Sequence, residues 1–118
     1  MNIKLKGGIF SCLSNTPEPP YYACIFTSQR SDKDAASYHS TAELMDELAA
    51  QQDGYLGVES VRDQNGLGIT VSYWKSLDAI KLWKENAAHK KAQEKGMKDW
   101  YSSYSTRICK VERDYTSK

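Results

Sequence analysis

Two tryptophans and a histidine crowd the second half of this chain: Trp74, Trp83 and, six residues on, His89. An imidazole titrates near neutral pH, so His89 is the first candidate for a general base. Trp83 could lay a flat ring beside an aromatic ligand, and the two form the candidate catalytic pair. Trp74, Phe26, Tyr22, Ser28, Ser72, Trp100 and Tyr104 are candidate substrate contacts. Their rings would serve as walls and their hydroxyls as donors to an anion. Such a set permits one economical reaction. A base deprotonates an electron-rich phenol or quinol, and the anion passes an electron to dioxygen in a dry pocket.

Each residue also has a plainer reading. A Trp on a helix that faces a sheet is commonly core. A His at a helix start commonly bonds backbone or water. Eight tyrosines make polar contacts easy to find. His39 lies among polar residues. Arg30 and Arg107 could hold an anionic ligand or be solvated surface charge. No phosphate loop, no paired metal ligands and no Ser-His-Asp set appears, so no metal site is expected.

Composition narrows the partners. The chain has 118 residues and net charge +1, with 16 basic and 15 acidic residues spread along it. There is no basic stripe for nucleic acid and no apolar run of the roughly 20 residues a membrane span needs. Gly7-Gly8 and Ser11 interrupt the early lysines, so no signal peptide is expected. Cys12, Cys24 and Cys109 are odd in number and fit no metal spacing, which suits reduced thiols in a cytoplasmic protein.

These side chains need elements to hold them. Residues 1–20 read as an N-terminal arm, extended by Pro17, Pro19 and Pro20. Aromatic and β-branched residues from Tyr21 to Ser28 make a first strand. Tyr38, Ala42, Met45, Leu48 and Ala49 share one face of a helix over 34–52, which Gly54 ends. A strand over 55–63, a hairpin turn at Asn65-Gly66 with positive φ allowed at both, and a strand over 67–74 follow. Ser76 caps a helix carrying Leu77, Ile80 and Trp83. A second helical piece spans 86–101 with His89, Ala92, Gly96 and Trp100 as its stripe. Gly96 costs about 1 kcal/mol there relative to Ala, which marks a kink or close contact. A last strand over 104–115 suits a sheet edge. The order is α+β, a ferredoxin-like βαββαβ domain over 21–115 with an antiparallel sheet and a tail at 116–118. Helices cover one sheet face; a second copy could cover the other.

Several stretches carry a family resemblance: YYACIFTSQR on the first strand, GYLGVES on the second, and GITVSYWKS running into LWKENAAH. Over about residues 21 to 113 the chain resembles the dimeric α+β barrel family of antibiotic-biosynthesis monooxygenases and heme-degrading monooxygenases. The resemblance implies a homodimer with one pocket per subunit between sheet and helices. It also implies a monooxygenase, cofactor-independent and acting on a small aromatic ligand. Heme is the alternative cofactor. The heme-degrading branch uses a Trp, a His three turns later and an Asn on the first strand. Trp83 matches the Trp; Gln93 stands near the His position, and Ile25 and Phe26 where the Asn would lie. The remaining alternative is a non-catalytic small-ligand-binding or stress-related dimer.

Overall fold

The computed structural model describes residues 2–3 and 13–117. Cys12, Gly7-Gly8 and Ser11 lie outside them. The elements run β1 (Asn2–Ile3), β2 (Tyr21–Arg30), α1 (Ala35–Ala50), β3 (Tyr55–Arg62), β4 (Leu67–Trp74), α2 (Leu77–Glu85) and α3 (Ala87–Lys95). A π-helical turn, Gly96–Trp100, then leads into β5 (Tyr101–Val111). The sheet order is β1-β3-β4-β2-β5, and every pairing is antiparallel. From β2 onward this is the ferredoxin-like βαββαβ arrangement, with the short β1 added beside β3. The sheet is open: β1 and β5 are its edges.

Four boundaries differ from the sequence expectation. The hairpin is not a two-residue turn with both residues at positive φ. Only Gly66 has positive φ, at 91°, and the turn closes through Asp63, whose carboxylate accepts from Asn65 N and Leu67 N at 2.9 Å each. Asp63 offers the backbone a local acceptor, and that favours the longer turn. α1 stops at Ala50, so Gly54 is not its immediate terminator. Gly54 has φ 83°, and an added Cβ would lie 2.7 Å from the Ala79 Cβ. It lets the start of β3 pass close to α2. The second helical piece splits into α3 and the π turn at Gly96. A Cβ on Gly96 would sit 2.9 Å from the Tyr101 ring, so the kink and the close contact coincide. β5 starts at Tyr101 and ends at Val111, earlier than expected at both ends; Tyr101 and Ser103 pair with Arg30 and Gln29, and Ser102 bulges between them.

Alternation sorts the side chains into two layers. Tyr22, Cys24, Phe26, Ser28 and Arg30 of β2 face the helices. Tyr21, Ala23, Ile25, Thr27 and Gln29 face away. The core lies at one end of the helix side: Trp74, Ala79, Ile80 and Trp83, with Tyr22, Cys24, Met45, Leu48, Ala49 and Tyr55 packed around them. Trp74 is 1% exposed and Trp83 9%. α1 buries no residue fully, so it covers the centre of the sheet loosely. Cys24, Phe26, Ser60, Thr70 and Ser72 there are only half-buried.

Candidate functional site

Three elements place His89. Ser76 caps α2, its Oγ accepting from Ala79 N at 3.1 Å. α2 presents Ala79, Ile80 and Trp83 to the sheet. Asn86 then breaks the helix with an extended backbone and starts α3, its Oδ1 accepting from Ala88 N at 3.0 Å and His89 N at 3.2 Å. The break turns the chain back so that the His89 ring stacks on Trp83, centroids 4.4 Å apart and planes 18° apart. Trp83 in turn stacks on Trp74 at 6.3 Å, and Tyr55 meets Trp74 edge-on at 5.6 Å.

The His89 Nδ1 lies 3.1 Å from the Trp83 carbonyl oxygen. A carbonyl only accepts, so this contact assigns the proton to Nδ1 and leaves the Nε2 lone pair without a partner among the described residues. Burial lowers the His89 pKa; the Trp83 carbonyl opposes that, and Lys84 adds to it. The ring is therefore neutral at neutral pH, with Nε2 as its basic atom. The plain reading and the chemical one coexist: the backbone bond is what sets the tautomer.

Beside this stack, Trp74 Nε1 donates to Ser72 Oγ at 2.9 Å. Burial raises the Cys24 thiol pKa, and a hydrogen bond with Ser72 and the charge of Lys84 oppose it. Tyr22 packs against the same core. So Tyr22, Ser72, Trp74, Trp83 and His89 gather at one end of the helix side.

The other candidates gather at the opposite end. Phe26 contacts Tyr101 at 5.2 Å and Tyr104 at 5.9 Å. Trp100 is buried against Tyr38, 5.7 Å away, and does not join the His89 stripe. The π turn redirects it. Ser28, 2% exposed, accepts from Arg62 Nη2 at 2.8 Å. Adjacent rows on a strand face are about 7 Å apart, so the Ser28 row lies about 20 Å from the Tyr22 row. Tyr38, Arg62 and Tyr101 were not among the candidates. Tyr38 showed only as an apolar-stripe residue, and no local signal marked Arg62. Tyr101 sat at the expected end of a helix.

Arg107 is exposed and opposes Ile25 on the far face, as solvated charge would be. Two shallow depressions stand out among the described residues, one along Glu18, Pro19 and 112–115, the other along Lys91, Glu94, Lys95, Met97 and Lys98. Neither touches His89. The residues do not fit a heme-degrading centre. Phe26 presents a ring to the helix side where a polar amide is required, Ile25 points to the far face, and one side of the imidazole is covered by Trp83.

A profile of the antibiotic biosynthesis monooxygenase family matches residues 21–95. This chain belongs to that family. A relative, the uncharacterized protein YqjZ of Bacillus subtilis (strain 168), is 57% identical over 101 residues, covering 86% of this chain and 88% of its own. Among solved structures, the chain is similar to SnoaB of Streptomyces nogalater, a cofactor-independent oxygenase, with TM-score 0.70 and 9% identity over 82% of this chain and 98% of that one. Rv0793 of Mycobacterium tuberculosis gives TM-score 0.70 and 10% identity over 82% and 99%. These structures share the fold of this antibiotic biosynthesis monooxygenase family member; at such identities they fix no residue role. No helix among the described residues is long and apolar enough to cross a membrane.

Proposed function

We propose that this protein is a cofactor-independent monooxygenase that oxidises a small electron-rich phenol or quinol between its sheet and helices, as a cytoplasmic homodimer. The observation that carries the proposal is His89: a neutral imidazole on Trp83, its Nδ1–H spent on the Trp83 carbonyl and its Nε2 without a partner among the described residues. His89 Nε2 takes the phenolic proton. The anion passes one electron to dioxygen, and the two radicals join as a hydroperoxide at an adjacent ring carbon that bears hydrogen. Loss of water leaves a carbonyl there. One oxygen atom ends in product and the other in water, so no external reductant is consumed. The half-buried hydroxyl of Ser72, beside Trp74, would hold the anion's oxygen.

The homodimer reading rests on the part of the far sheet face where Leu67 and Ile69 are exposed. Oxygen uptake with a panel of phenols and quinols, in chelator and without flavin, tests the catalytic claim. Uptake lost by a hundredfold or more in His89→Gln is expected, in line with removal of a general base. No uptake across the panel, or uptake unchanged in the variant, rejects it.

One observation favours a second reading, a ligand-binding dimer without catalysis. Trp74 and Trp83 are packed into the core, so neither presents a free ring face to a substrate. Ligand-dependent thermal stabilisation without oxygen uptake would select that reading.

A further inference from the structure

At the end of the sheet away from His89, two arginines meet around one tyrosine ring. The Arg30 guanidinium lies 4.1 Å from the Tyr38 ring centroid. That of Arg62 lies 5.7 Å from Tyr38 and 5.9 Å from Tyr101. Both side chains are half-buried. Among the described residues their hydrogen-bond partners are all neutral oxygens. Arg62 Nη1 donates to Ser28 O at 3.1 Å and Gly66 O at 2.6 Å, and its Nη2 to Ser28 Oγ at 2.8 Å and Tyr38 OH at 3.2 Å. Arg30 donates to Trp100 O and to Lys33 O.

Neither arginine pairs with a carboxylate among the described residues. Asp34 and Asp99, which flank the cluster in sequence, both pair with Lys95, at 3.4 Å and 2.6 Å. A guanidinium has five N–H donors. The bonds above use four on Arg62 and two on Arg30, so donors remain, chiefly on Arg30. The Trp100 indole N–H is a further one. Trp100 is 4% exposed, its Nε1 has no acceptor among the described residues, and its ring packs on Tyr38. A buried donor left unpaired costs about 1–3 kcal/mol. Two half-buried charges without a carboxylate partner among the described residues and an orphaned N–H share one aromatic cluster, and an anion with more than one acceptor oxygen would serve them.

We propose that Arg30, Arg62 and Trp100 form a binding site for a small planar organic carboxylate, separate from His89. The guanidinium fork matches two carboxylate oxygens. Tyr38, Tyr101, Tyr104 and Phe26 supply the aromatic surface for a flat ligand. Gly68 is part of the site, because a Cβ there would lie 2.6 Å from the Arg62 Cζ. Only glycine lets that guanidinium rest over β4.

The site goes beyond the oxygenase reading and stands whether or not the protein turns over a phenol. Titration of the intact protein at low salt with benzoate, cyclohexanecarboxylate, benzamide and sulfate tests it, followed by calorimetry and by the indole N–H resonances. Saturable benzoate binding is expected, with the Trp100 indole signal moving and the Trp74 indole, already bonded to Ser72, still. Benzamide should not bind, and sulfate and cyclohexanecarboxylate should bind more weakly. Arg30→Lys, which keeps the charge and loses the fork, should weaken benzoate about tenfold or more. Gly68→Ala should weaken it while leaving both charges in place. Absence of saturation, sulfate binding as tightly as benzoate, a still Trp100 signal, or unchanged affinity in both variants overturns the proposal.

Discussion

His89 and Trp83 depend on each other, and that sets what their loss should do. Trp83 is at once the core of α2 and the platform of the imidazole, so Trp83→Ala should cost about 3–5 kcal/mol in denaturant unfolding. His89 should also make stability pH-dependent. Burial holds its folded pKa below the ordinary 6.5. As pH falls below that value, the unfolded chain binds a proton that the folded imidazole refuses, so unfolding becomes easier. Above it both states are neutral and the contribution disappears. Unfolding midpoints between pH 7 and pH 5 should therefore drop, and His89→Asn should flatten that drop; an equal drop in the variant would remove His89 as its source. The sequence exposed His89 and Trp83 as a close pair because one short run holds both. It hid Arg62 and Tyr38, which lie 24 residues apart and meet only when α1 crosses β3.

The helices and strands were legible where the chemistry is local. Ser76 as a cap, Leu67–Trp74 as a strand and the apolar face of α1 each follow from neighbouring residues. The break at Asn86 was only half legible. A cap residue was present, but the turn of α3 back onto Trp83 is a tertiary event. Asn86→Ala removes the acceptor for two backbone N–H groups and should cost about 1 kcal/mol, measured by thermal unfolding. It should also loosen His89 and raise its pKa toward 6.5, readable by NMR titration of the ring. Gly54→Ala forces both a positive φ and a clash with Ala79, and should cost at least about 1–3 kcal/mol. No effect there would mean that β3 and α2 can separate freely.

Over the whole molecule, the two sheet faces differ in what they lack. The helix side holds the core and both candidate sites. The far side carries Ile25, Val71, Ile69 and Leu67 in adjacent strands, with Ile69 43% exposed. If a second copy covers that face, Ile69→Asp should convert a dimer to monomers in sedimentation, and a sedimentation coefficient unchanged from wild type would reject the sheet-to-sheet arrangement. The sequence reading left one sheet face for a second copy to cover; which side chains lie on that face required the register. On the edge strand β5 the register involves the π turn at Gly96–Trp100 that leads into it. Such a turn carries one residue more than an α-helical turn. Along a strand, one residue more or fewer exchanges its two rows of side chains. Ser102 bulges between Ser103, opposite Gln29, and Tyr101, opposite Arg30, so the whole junction of π turn and bulge sets the parity of the edge strand. It directs Tyr104, Thr106 and Ile108 to the helix side and Ser105, Arg107 and Cys109 to the other. A single deletion in those five residues would have to be taken up by the Ser102 bulge, by unwinding of the helix or by inversion of that strand.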